Sequence, residues 1–342
     1  MHLRELILGR TRALGQAFVL VLVLGAIVPL LHSSFWMYTL GTVATFSIAV
    51  IGLNVITGMA GQVSFATTAF MDIGAYCYAV FTTKYHVDPW LSLVIGLIAA
   101  GVIGFIVGIP LLRLKGHYLA LGTFALALAF EGIATGANVV TGGPIGLSAI
   151  PALTVGDLSF ASTVPFYFLA WSLAAVCVLM VIRLRNSRIG RAWLALSTRE
   201  DVALSLGINV SLYKVLAFVI SAVLAALSGI LYVELTTFVS PDVYGTDFLI
   251  QIFAMLFIGG LATYIGPMVG AAVVVILPTV FSVSQSVSAL IFELLLLLII
   301  VVFPHGFGEW TENYETLRSF VARLRRQGRA TGLQVSRYEK VK

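Results

Sequence analysis

Charge is the property this sequence has least of. Asp, Glu, Lys and Arg make up 10% of its 342 residues, against about a quarter in a soluble domain, so lipid rather than water surrounds most of the chain. Cysteine occurs only at Cys77 and Cys177, each inside an apolar run. That excludes a disulfide framework and a cysteine-based zinc site, leaving both as small packing residues. No Gly-Lys dipeptide occurs, so a Gly-x-x-x-x-Gly-Lys-Ser/Thr phosphate loop cannot form, and any ATP consumed is bound by another subunit. The histidines (His2, His32, His86, His117, His305) are scattered without a His-x-x-x-His or His-Glu pair, and Gly-x-Ser-x-Gly is absent. No catalytic set, metal or cofactor is expected, and transport is expected rather than enzyme chemistry.

What the chain does have is apolar length, with 60% hydrophobic residues. A helix crosses the hydrocarbon core with about 20 apolar residues. That rule predicts ten elements, at 14–31, 37–57, 63–82, 90–112, 118–140, 165–182, 212–235, 248–261, 264–281 and 287–303. The elements at 63–82 and 248–261 begin or end in glycine-rich sequence and read either as full crossings or as half-helices that return. The first apolar run follows Arg4, Arg10 and Arg12 like a signal peptide, but no small-x-small site follows it, so a retained helix is expected. The domain reading is a tail at 1–13, a membrane domain at 14–303 and a tail at 304–342.

The positive net charge of +5 lies beside the apolar spans instead of on a folded patch, so it speaks for topology and not for nucleic acid. With an inside N-terminus and ten crossings, Lys84 is the one Lys or Arg left in an external loop, alongside Asp88, Asp157, Asp242 and Asp247. The excess of basic residues on the cytoplasmic side then predicts both termini inside. Trp36, Trp90 and Trp310 fall at span edges, where indole prefers the headgroups. Gly104-x-x-x-Gly108, Ala225-x-x-x-Gly229 and Gly266-x-x-x-Gly270 place small residues on one helix face for close approach.

Polar residues inside these spans carry the functional signal. Asp72, Glu131 and Glu293 lie within apolar runs, where an ionisable group marks a substrate or proton path or else a carboxyl satisfied near a helix end. Asn54, Gln62, Ser64, Thr67 and Thr68 flank Gly58-Met59-Ala60-Gly61, which reads as a helix broken at membrane depth or as a plain turn capped by Ser64. The loop 183–211 is arginine-rich. From Ser197 or Thr198 it suits a short helix with Glu200 and Asp201 in the first turn and Gly207 as the stop. Such a helix is a lever for a partner protein; an arginine anchor for topology is the alternative.

Several segments together resemble a known family. They are Gly52-Leu-Asn-Val-Ile-Thr-Gly58-Met-Ala-Gly61-Gln62-Val-Ser64, Ile73-Gly74-Ala75-Tyr76, Thr141-Gly-Gly-Pro-Ile-Gly146-Leu147, Ser187-Arg-Ile-Gly190-Arg191-Ala192, Ala203-x-x-x-Gly207-Ile208-Asn209, Lys214-x-x-Ala217-Phe218, Gly259-Gly260 with Gly266-Pro267, and Phe303-Pro304. In order and spacing the chain resembles the inner-membrane permease subunits of ATP-binding-cassette importers for branched-chain amino acids. The resemblance implies an all-α polytopic bundle of about ten (8–10) transmembrane helices with the permease fold of such importers, in the bacterial inner membrane. It implies that 183–211 docks on an ATPase through Arg191, Glu200, Asp201, Ala203 and Gly207. Partners implied are a second homologous permease subunit, two ATPases, a periplasmic substrate-binding protein and the bilayer. Asp72 and Glu293 depart from the family pattern, which keeps urea or short-chain amides open as cargo. An ion-coupled secondary transporter using Glu131 or Asp72 is the alternative from another class.

Overall fold

The computed structural model describes residues 33–156 and 158–280. The expected spans 14–31 and 287–303, both tails, Glu293 and Trp310 lie outside them. Helix α1 (Ser34–Leu53) runs without interruption into a π-helical turn, Asn54–Met59. After an extended segment come α2 (Thr67–Thr83), α3 (Pro89–Leu111), α4 (His117–Gly136) and the short α5 (Asn138–Thr141). Then follow α6 (Thr163–Asn186), α7 (Arg188–Thr198), α8 (Glu200–Ser205), α9 (Val210–Thr236), α10 (Thr246–Gly259) and α11 (Gly266–Val280). Two-residue strands decorate the loops: β1 (Leu147–Ser148) pairs antiparallel with β4 (Phe238–Val239), and β2 (Thr154–Val155) with β3 (Leu158–Ser159). Six of the described helical segments are long and apolar enough to cross a bilayer, so the chain is an all-α polytopic membrane protein.

Local chemistry sets several of these boundaries. Asp88 caps α3, its Oδ1 accepting from Trp90 N (2.9 Å) and Leu91 N (3.3 Å), with Pro89 in the first turn where no N–H is needed. Asn209 Oδ1 does the same for α9 by accepting from Leu212 N at 3.2 Å.

α9 is the central post, with α1, α2 and α3 packed directly on it. They approach closely because the facing residues are small. A Cβ on Gly229 would lie 2.1 Å from Met71 O of α2, and one on Gly104 would lie 3.0 Å from the Ala222 Cβ. α10 and α11 form a tight hairpin on the same rule, a Cβ on Gly270 falling 1.8 Å from Met255 O. The small-residue motifs at 104–108, 225–229 and 266–270 therefore mark real helix contacts within the chain.

Hydrogen bonds between loops divide the bundle into two ends. At one end meet the π-turn, the start of α2, the arm formed by α7 and α8, the start of α9 and the 260–265 loop. At the other meet the end of α2, the start of α3, the 147–160 loop and the end of α9. α2 starts at the first end and finishes at the second, and α10 runs the opposite way, so both traverse the bundle and neither turns back. α2 starts four residues later than expected because 61–66 is not helical. α4 stops at Gly136 instead of running to 140. Every Lys and Arg of the described residues except Lys84 belongs to the first end, which we call the basic end.

Candidate functional site

The site is built around the break at the foot of α1. In the π-turn, Asn54 is buried. Its Nδ2 donates to the Thr263 carbonyl at 2.7 Å and its Oδ1 accepts from Ala262 N at 2.8 Å. Both functions of the amide thus hold the loop between α10 and α11. Arg185, on the last turn of α6, donates to the Ala262 carbonyl at 2.7 Å and stacks over Tyr264 with 4.6 Å to the ring centroid. The loop backbone is gripped from two sides.

Beyond the π-turn the chain leaves the helix at Gly61, whose φ of +70° favours glycine. Here the backbone presses on the arm: a Cβ on Gly61 would lie 2.8 Å from Ser197 Cα. Gln62 Nε2 then donates to Glu200 Oε1 at 3.4 Å, and Ser64 Oγ accepts from Ala66 N at 3.4 Å. Glu200 also forms an ion pair with Lys214 on α9, and Lys214 is only 3% exposed. A buried ammonium needs such a partner, because its desolvation is otherwise uncompensated.

The arm differs from the sequence expectation. Instead of one short helix from Ser197 or Thr198, two helices meet at an extended Arg199 (φ −159°, ψ 120°). Ser187, not Ser197, is the cap that starts the arm, accepting from Ile189 N at 3.1 Å. Trp193 is buried and donates through Nε1 to Tyr213 O at 2.9 Å, fastening α7 to α9. Gly207, at φ +75°, ends α8 in a Schellman motif: Ile208 N donates to Ala203 O at 3.1 Å and Gly207 N to Leu204 O at 3.0 Å.

The residues expected to dock a partner separate into two groups. Ala203 is fully buried against its own chain, so its small size serves internal packing. Arg191, Asp201 and Gly207 are exposed, Glu200 is half-buried, and a Cβ on Gly207 would meet nothing within 4 Å. Beside them Val202, Leu204 and Leu206 are 47%, 58% and 69% exposed. These apolar side chains stand exposed on an otherwise polar arm.

The remaining candidates lie inside the bundle. Thr67, at the start of α2, is buried with Oγ1 unpartnered among the described residues. Asp72, in the second turn of α2, is 4% exposed with Oδ1 likewise unpartnered. Glu131, on α4, is half-buried near Gly245, where an added Cβ would lie 3.5 Å from its Oε1. Asn54, Gln62, Ser64 and Thr67 thus gather at the basic end, while Asp72 on α2 and Glu131 on α4 lie deeper in the bundle, on helices that share the Pro241–Tyr244 turn as a neighbour. One buried acid was missed from sequence. Glu234 on α9 accepts from Tyr78 OH (2.8 Å) through Oε2 and from Leu153 N (2.8 Å) through Oε1, fixing the loop at the other end. Its signal was a single acid closing an apolar run, easily taken for a helix end.

Comparison with known proteins places this architecture. Residues 35–304 match the family described as branched-chain amino acid transport system, permease component. The chain is 30% identical to the high-affinity branched-chain amino acid transport system permease protein LivM of Escherichia coli (strain K12), over 80% of this chain and 70% of that protein. It is 25% identical to LivH of the same strain, over 78% of this chain and 92% of LivH. The autoinducer 2 import system permease protein LsrC of Salmonella paratyphi B is 26% identical over 53% of this chain. No solved structure matches. With the matched region running from the head of α1 through every described helix, the chain belongs to the family of branched-chain amino acid transport system permease components.

Proposed function

We propose that this chain is the membrane-spanning permease subunit of a binding-protein-dependent importer that carries branched-chain amino acids across the bacterial inner membrane by alternating access. It pairs with a second, homologous permease, and the similarity to both LivM and LivH supports a pair of unlike subunits. Two ATPase subunits supply the free energy, and a periplasmic binding protein delivers the cargo. The basic end faces the cytoplasm in this reading, which the distribution of Lys and Arg supports, with both termini on that side and the 183–211 segment as the coupling loop.

The observation that carries the proposal is the arm of α7 and α8. It exposes Val202, Leu204 and Leu206 to a partner, while its other face is tied by Gln62, Lys214 and Trp193 to the helices that cross the bilayer. An ATPase seated on the leucines moves the arm, and the arm moves the foot of α1 and the 260–265 loop. Burying one leucine against a partner contributes roughly 1.5–3 kcal/mol.

The test is uptake of labelled leucine by cells carrying the complete transporter. Wild type is compared with the double variant Leu204→Asp, Leu206→Asp, and ATPase co-purification is measured on the same membranes. Expected is a loss of uptake of tenfold or more with the permease inserted at normal level and the ATPase no longer retained. Retained ATPase with full uptake rejects the docking site. Uptake of labelled urea in place of leucine by wild type reassigns the cargo.

A further inference from the structure

The buried polar groups on α2 have an unusual feature: among the described residues, no opposite charge is supplied to them. Asp72 and Tyr76 stand one turn apart on α2, and so on one face of it. Both are more than nine-tenths buried, and both the Asp72 Oδ1 and the Tyr76 hydroxyl lack a hydrogen-bond partner among the described residues. The turn Pro241–Tyr244 packs against α2 and α4 together, bringing Tyr244 to the same place. Glu131 of α4 lies beside Gly245 at the end of that turn, where an added Cβ would be 3.5 Å from its Oε1. Tyr244 has its own partner, donating to Gly229 O at 3.2 Å. Two carboxyls and a hydroxyl, with unpartnered acceptors on Asp72 and Tyr76, are therefore gathered around the Pro241–Tyr244 turn.

Among the described residues, no Lys or Arg of the elements around this group answers it. α2, α4 and the Pro241–Tyr244 turn contain no Lys or Arg. Lys214, the single basic residue of α9, is paired with Glu200 at the basic end. Lys84, past the end of α2, donates to the Val139 carbonyl. An unpaired carboxylate inside a membrane bundle is expensive and marks a functional site by default. A hard divalent ion would want six or more oxygens, whereas the described residues hold no cluster of three metal-ligating side chains. A primary ammonium fits better: it is compact, carries one charge, and has three donors for three acceptors.

We propose that Asp72, Glu131 and the Tyr76 hydroxyl form a binding site for a primary ammonium group, the α-ammonium of an amino acid in transit. The inference rests on the transport reading above and deepens it by naming the group on the cargo that the membrane subunit grips. A site of two carboxyls on separate helices holds the ammonium only while α2 and α4 stay together. Separating the helices weakens the hold and lets the cargo leave.

The probe is radiolabelled isoamylammonium, which is leucine without its carboxylate, with 4-methylpentanoate, leucine without its ammonium, as competitor. Binding is measured on the intact transporter in nanodiscs without the binding protein. Expected is saturable binding to wild type that 4-methylpentanoate does not displace. Loss of one charge-assisted hydrogen bond should weaken binding about tenfold or more in Asp72→Asn, with smaller losses in Glu131→Gln and Tyr76→Phe. Glu131 is half-buried, so Glu131→Gln keeps the test valid if Asp72→Asn fails to fold. No saturable binding, equal binding in all three variants, or displacement by an equal concentration of sodium overturns the site. Leucine uptake by wild type separates the two proposals. Uptake without isoamylammonium binding removes the ammonium site and leaves the transport reading intact. Binding that depends on Asp72, without leucine uptake, does the reverse.

Discussion

Each end of the bundle is closed by a single buried side chain that reaches from a helix into the backbone of a loop. At the basic end Asn54 donates to Thr263 O and accepts from Ala262 N; at the opposite end Glu234 accepts from Leu153 N and from Tyr78 OH. The chemistry is alike but the connections differ. The loop held by Asn54 is also held by Arg185, at the foot of the helix that leads into the arm with its exposed leucines. The loop held by Glu234 leads to two short strand pairs and to Trp90, whose Nε1 donates to Thr154 O at 2.8 Å, with no described contact to the arm. One clamp is a joint in a chain of contacts from the arm to the helices; the other fixes a surface.

Breaking the joint should therefore be felt by the ATPase, and breaking the surface clamp should not. The largest effect is expected for Glu200→Leu, which leaves the buried Lys214 ammonium without its partner and destabilises the subunit by roughly 3 kcal/mol. Thermal unfolding in detergent should register that loss, with ATPase co-purification lost as well. Asn54→Leu comes next. It strands the Ala262 N–H and the Thr263 carbonyl in a buried site, at about 2–3 kcal/mol, and leucine uptake should fall by tenfold or more. Glu234→Leu removes as many hydrogen bonds, yet the expected consequence is confined to the other end. The 147–160 loop becomes sensitive to external protease while ATPase retention stays at wild-type level. If Glu234→Leu releases the ATPase as readily as Asn54→Leu, the two ends are not mechanically distinct.

The same contrast explains what the sequence made legible. Spans such as α3 and α9 are long apolar runs whose length alone announces them, and Asp72 stood out because a carboxyl there is costly wherever its neighbours fall. The partners of Asn54 were not legible, since Ala262 lies 208 positions away and only the fold brings it near. The break of the arm at Arg199 was hidden for a related reason. Ser197 and Thr198 are both good capping residues by type, and it is the pressure of Gly61 on Ser197 that accompanies the bend. Ala203 carries a different lesson: a small residue at helical spacing from a glycine suggests an outward contact, and its burial against its own chain is set by packing that only the fold supplies.

The smallest expected effect comes from two glycines that share a backbone conformation and differ in surroundings. Gly61 and Gly207 have φ of +70° and +75°, so a Cβ at either introduces the same left-handed strain, about 1 kcal/mol. At Gly61 that Cβ also collides with Ser197 Cα, 2.8 Å away, whereas at Gly207 it meets nothing within 4 Å. Gly61→Ala should therefore push the arm off the π-turn and reduce both uptake and ATPase retention. Gly207→Ala should lower the unfolding temperature slightly and leave uptake within about twofold of wild type, since 1 kcal/mol is a small part of a domain's stability. The informative exception is a Gly207→Ala subunit that unfolds at nearly the wild-type temperature but has lost its ATPase. The open space at Gly207 would then be filled by the partner, and the docking surface would extend from Leu204 and Leu206 across the end of α8.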